Sequence, residues 1–90
     1  MKHLEFFLSE QTLYNKQYYV ATPLYHGFLL HDQSELWIAM ENWCCKTLDK
    51  KNLWPDLYSP LRKAWYSNQY QFWFRQLGDR ELFTQHFKSL

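Results

Sequence analysis

Four histidines and two cysteines are the residues of this chain best suited to hold a metal ion or to supply a nucleophile. Their spacing does not assemble a site. His26 and His31 stand five apart, so a helix would not set them on one face, and Cys44 and Cys45 are adjacent rather than two residues apart as in a zinc knuckle. His3 and His86 lie near opposite ends of the sequence. A cysteine nucleophile with His31 as base and Asp32 as orienter can be drawn on paper. Thiol activation, however, needs a helix N-terminus or a nearby cation, and both cysteines fall in the middle of an expected helix, Cys44 toward the core and Cys45 toward solvent. No His-Glu-x-x-His or Gly-x-Ser-x-Gly pattern occurs, and with two glycines in the chain a phosphate-cradling loop is hard to build. Glu35, Glu41 and Asp49 are scattered and read as helix-surface and capping residues. The expectation is a non-enzyme with no catalytic residue, no metal and no cofactor.

A second kind of chemistry is recognition. Arg62, Lys63 and Arg75 interleave with Trp65, Tyr66, Tyr70 and Trp73, a mixture that stacks on single-stranded bases and tracks phosphates. Protein interfaces are enriched in the same residue types, because Tyr, Trp and Arg cover large area with few rotamers and keep a polar tip. Charge decides between them. Ten basic against nine acidic residues leave a net +1, whereas affinity for nucleic acid rests on neutralised phosphates. Residues 1–59 carry five Lys and seven acids, net −2, and residues 60–90 five basic residues and two acids, net +3. That asymmetry is too weak to reverse the choice. The candidate contact residues are Arg62, Lys63, Tyr66, Tyr70, Trp73 and Phe74, offered to a larger protein.

The elements that would position these residues read as helices. Ser59 as N-cap, Pro60 at the first helical position and Gly78 as the closing left-handed residue delimit a helix over 60–77. On a helical wheel Leu61, Ala64, Trp65 and Phe72 share one face, while Tyr66, Tyr70, Trp73, Phe74 and Leu77 share another. A helix apolar on two faces is either sandwiched or shows one face to a partner. Asp32 followed by Glu35 opens a second helix over 33–51, with Leu36, Trp37, Met40, Trp43, Cys44 and Leu48 inward. Thr22-Pro23 suggests a short helix over 23–31, against which Phe28-Leu29-Leu30 could be a brief strand. Asp79 caps a last helix, and Asn52–Ser59, with Trp54 and Pro55, is a packed connector. Residues 2–21 fit either a helix or a hairpin turning at Asn15-Lys16. Helix is preferred because fourteen Leu stand against one Val, one Ile and four Thr.

The fold expected is a single domain over 1–90, mainly all-α, a compact bundle of four to five helices, with an N-terminal β-hairpin as the α+β alternative. Helices 33–51 and 60–77 would pack antiparallel. Adjacent cysteines and the lack of a leader or an eighteen-residue apolar run point to a cytoplasmic protein off the membrane. The function expected is a small protein-binding module, an inhibitor or adaptor. A homo-oligomeric structural protein and a single-stranded nucleic-acid binder are the alternatives. In size and lack of catalytic motifs the chain is comparable to the small inhibitors that phages and mobile elements direct at host defence, an analogy of design carried by no motif.

Overall fold

The computed structural model describes residues 3–13, 15–48 and 64–89. Strand β1 (Leu4–Leu13) and strand β2 (Lys16–Tyr25) form an antiparallel hairpin in unbroken register from Leu4↔Tyr25 to Leu13↔Lys16. A two-residue connection requires left-handed backbone, and Asn15 supplies it at φ 61°, being one of the few side chains that tolerate that region. The chain reverses again at His26-Gly27, with φ 54° and 82°, into the short β3 (Phe28–Leu29) beside the end of β2. Helix α1 (Glu35–Thr47) follows. Beyond it, β4 (Trp65–Ser67) and β5 (Phe72–Phe74) make a second hairpin, and helix α2 (Leu77–Lys88) closes the described chain. The sheet is antiparallel throughout in the order β1-β2-β5-β4, with β3 also on β2.

The expected all-α bundle is therefore corrected to an antiparallel sheet with two helices. The physical reason lies in the aromatics. Eleven of the nineteen Phe, Tyr and Trp lie in strands, at positions that Val and Ile usually take, so a low β-branched count did not mean few strands. The helix over 60–77 is replaced by β4, a turn, β5 and the start of α2; Gly78 lies in the first turn of α2 instead of ending a helix. Two apolar groups on a helical wheel are what alternation produces when read at the wrong period. Trp65-Tyr66-Ser67 and Phe72-Trp73-Phe74 send successive side chains to opposite faces. Asn68 makes the turn between them, its Oδ1 accepting from the N–H groups of Tyr70 (3.0 Å) and Gln71 (2.9 Å).

Residues 2–21 are not a helix, and neither are 23–31. Pro23 sits inside β2, on the side of that strand where the neighbour changes: β5 pairs up to Ala21↔Phe72, β3 begins at Leu24↔Leu29. The Pro23 carbonyl accepts from Leu30 N–H at 3.2 Å, and the return bond of that pair, which proline cannot donate, is missing where β3 ends at Leu29. Helix α1 is shorter than the expected 33–51 and starts from Ser34, whose Oγ accepts from the Trp37 N–H at 3.1 Å, not from Asp32. Helix α2 begins before Asp79, at an N-cap Gln76 that makes no side-chain bond. The Trp54-Pro55 connector, Ser59 and Pro60 lie outside the described residues.

Both helices pack on one face of the sheet. The register puts Leu4, Phe6, Ala21, Pro23, Trp65, Phe72 and Phe74 on that face. Phe83 of α2 meets Phe6, Phe72 and Phe74 at ring distances of 5.4, 4.8 and 5.2 Å, and Trp37 of α1 lies 4.5 Å from Phe72. Met40, Cys44 and Phe87 complete this buried layer. The opposite face carries Glu5, Phe7, Tyr18, Val20, Thr22, Leu24, Tyr66 and Trp73.

Candidate functional site

The residues with the most reactive chemistry are held in structural roles. Cys44 is fully buried in the core layer, and burial, with smaller contributions from Cys45, Glu41 and Asp79, pushes its thiol far up, away from the nucleophilic thiolate. Cys45 is exposed in the last turn of α1. His31 Nδ1 accepts from the Gln33 N–H at 3.1 Å. The same nitrogen can face Asp32 Oδ1, 3.5 Å away, as an ion pair only after taking up a proton. His3 and His26 stack at 4.1 Å beside Tyr25. Among the described residues no three of His, Cys, Asp and Glu gather as metal ligands.

Two polar contacts join the helices to the sheet. Ser67 Oγ donates to Glu41 Oε2 at 2.7 Å, tying α1 to β4. Arg80, nearly buried, donates from Nη1 to the Ser9 carbonyl and from Nη2 to Glu81 Oε1, both at 3.1 Å, with its guanidinium 5.7 Å from the Tyr19 ring centre. Burial raises the Asp79 carboxyl above its ordinary value. Arg80 ties α2 to the β1–β2 hairpin.

Of the residues expected to touch a partner, Phe74 lies on one face of the sheet and Tyr66 and Trp73 on the other. Phe74 is fully buried under α2. Tyr66 is buried on the opposite face, and Trp73, half-buried beside it, lies 6.0 Å from the Tyr18 ring and donates its indole N–H to Gln71 Oε1 at 3.2 Å. Tyr70 stands exposed at the β4–β5 turn. Arg62 and Lys63 lie outside the described residues. The single helix that would have aligned these six is absent, because strand alternation divides Phe74 from Tyr66 and Trp73.

A contiguous exposed apolar surface exists elsewhere, at the β3 end of the sheet. Leu24 pairs with Leu29 across β2 and β3 on the face opposite α1 and α2, and Phe7, opposite Thr22, is the diagonal neighbour of Leu24. Phe7 is 62% exposed, Leu29 52% and the adjoining Phe28 77%. Glu5, paired with Leu24, supplies a carboxylate at the margin, and the His3–His26 stack borders the same end. Reading for chemistry passed over these residues, although a signal was present. In Phe6-Phe7-Leu8 and Phe28-Leu29-Leu30 three consecutive apolar side chains must divide between two faces if the backbone is extended. Phe6 and Leu30 go inward and Phe7 and Leu29 go to the opposite face, while Phe28, paired with Tyr25, stays exposed on the side of the sheet that carries Leu30.

Comparison with protein-family models, with curated proteins and with solved structures found no match.

Proposed function

We propose that this chain is a non-catalytic protein-binding module, an inhibitor or adaptor that acts by occupying the surface of a larger protein. Its contact surface is the apolar strip Phe7-Leu24-Leu29 with Phe28 at its end. The observation that carries the reading is the exposure of Phe7 (62%) and Leu29 (52%) on the two strands that flank β2, on the face opposite α1 and α2, with Phe28 (77%) exposed at the same end of the sheet from its other face. Exposed apolar clusters rimmed by polar groups mark interaction sites, and a Phe beside aliphatic side chains supplies a well-shaped anchor. Glu5 at the margin suits a partner whose apolar patch is bordered by Lys or Arg. No helix among the described residues is long and apolar enough to cross a membrane. The cytoplasm fits two unpaired cysteines, one of them exposed.

The test compares the tagged wild type with the double variant Phe28→Ser/Leu29→Ser, each used for affinity capture from native lysate with and without nuclease. The expected result is a stoichiometric protein that survives nuclease on the wild type and is lost from a variant of unchanged thermal midpoint. Equal capture by both would remove the strip from the contact. Recovery of nuclease-sensitive material alone, falling steeply with added salt, would replace the reading with nucleic-acid binding.

A further inference from the structure

The long edge of the sheet fits a second copy of this chain. Strand β1 is ten residues long and, among the described residues, has a strand on one side only. The His26 N–H donates to the His3 carbonyl at 3.1 Å. Alternation along an antiparallel pair then makes the odd-numbered residues of β1 those that exchange bonds with β2. The N–H and C=O groups of Leu4, Phe6, Leu8, Glu10 and Thr12 consequently point out of the free edge. Proteins ordinarily blunt such an edge with lysine, proline, a bulge or a covering element. Strand β1 contains neither lysine nor proline, and its register with β2 has no bulge.

We propose that two copies pair antiparallel along β1 with the dyad at Phe7, joining their sheets into one. Only even-numbered residues have outward backbone groups, so even must face even. With the dyad at Phe7, Phe6 faces Leu8, Leu4 faces Glu10 and Glu5 faces Ser9, which leaves no like charges opposed. Phe7 meets its own copy in a pair without backbone bonds, where side chains approach most closely. A dyad at Glu5 or Glu10 would set carboxylates face to face. A dyad at Phe6 would centre on a ring already packed 5.4 Å from Phe83, and one at Leu8 would spend the large Phe7 ring on Ser9. The chosen pairing covers Phe7 and Leu8, which are 62% and 40% exposed. It also brings the two Phe7-Leu24-Leu29 strips together across the dyad. The dimer stands on the register and exposure of β1; it takes Phe7 from the docking strip, and Phe28 and Leu29 tell the two readings apart.

The test uses the full chain with Cys45→Ser, adding Phe7→Cys or Ser9→Cys, under diamide. Opposed residues in such a pair have Cα atoms about 4.5 Å apart, inside the roughly 4.4–6.8 Å that a disulfide spans. The two Ser9 residues would be about 14 Å apart, at about 3.4 Å per residue. The expected result is a disulfide-linked dimer from Phe7→Cys and none from Ser9→Cys. Light scattering on the wild type should give a concentration-dependent dimer, and Phe7→Lys should raise its dissociation constant at least about tenfold with an unchanged circular dichroism spectrum. Phe28→Ser/Leu29→Ser should leave the mass unchanged, which separates failure of the dimer from failure of the docking surface. A wild type that stays monomeric to millimolar concentration, or equal cross-linking at both positions, would overturn the proposal.

Discussion

The two faces of the sheet are built from the same residue types and end in opposite states. On the helix-covered face, Trp65, Phe72, Phe74 and Phe83 are completely buried and each ring meets another. On the other, Tyr18, Val20 and Tyr66 are buried near the centre, while Phe7 and Leu29 stay exposed toward the β3 end. The difference teaches that aromatic content does not separate core from contact surface. Place in the sheet does: its centre is closed on both faces, while Phe7 and Leu29 stay exposed toward the β3 end.

The strongest way to break this comparison is Phe83→Ala. Phe83 contacts Phe6, Trp43, Phe72, Phe74 and Phe87, and removing such a ring costs about 3–5 kcal/mol. That is a large fraction of the roughly 5–15 kcal/mol available to a small domain. Denaturant unfolding should show a variant that is largely unfolded at 37 °C, and a midpoint close to wild type would show that the covered face is not the source of stability. Ser67→Ala sharpens the comparison next, because it removes the 2.7 Å bond to Glu41 that ties α1 to the covered face. A hydrogen bond to a charged group is worth about 1.5–3 kcal/mol, and partial exposure of Glu41 places the loss near the lower end. Ser34→Ala removes the cap that starts α1 and should cost about 1 kcal/mol in the same assay. The smallest effect on stability is expected from Phe28→Ser/Leu29→Ser on the exposed end, within about 0.5 kcal/mol. Thermal unfolding beside partner capture separates the two faces: a large loss of stability there would mean that Phe28 and Leu29 belong to the core.

Helix α1 was legible in outline, since Trp37, Met40 and Cys44 recur at helical spacing and are its buried residues. Its cap was placed two residues early, because Asp32 and Ser34 both have the chemistry and only backbone geometry selects Ser34. The strands were misread for a local reason. Segments of three residues, such as Trp65-Tyr66-Ser67 and Phe72-Trp73-Phe74, are too short to show a period, and joined across a polar turn they imitate a longer helix. Pro23 reinforced the error, because proline in a central strand argues against a strand until the change of neighbours from β5 to β3 is known. The contact residues were lost with the helix that was to align them, and Phe7, Phe28 and Leu29 could not be singled out while the faces of β1 and β3 were unassigned.

By itself the sequence determined the near-neutral charge, the aromatic-rich composition, the lack of familiar catalytic motifs and, in outline, the two helices α1 and α2 with apolar side chains three or four residues apart. These are properties of composition and of neighbours along the chain. Only the tertiary structure decided that Phe74 is core and Phe28 is surface, that Arg80 reaches the Ser9 carbonyl, and that β1 ends the sheet among the described residues. Strand pairing joins residues far apart in sequence, and Phe74 and Phe28, which the register sets on one face, differ because Phe83 of α2 packs on Phe74 whereas Phe28 in β3 stays exposed.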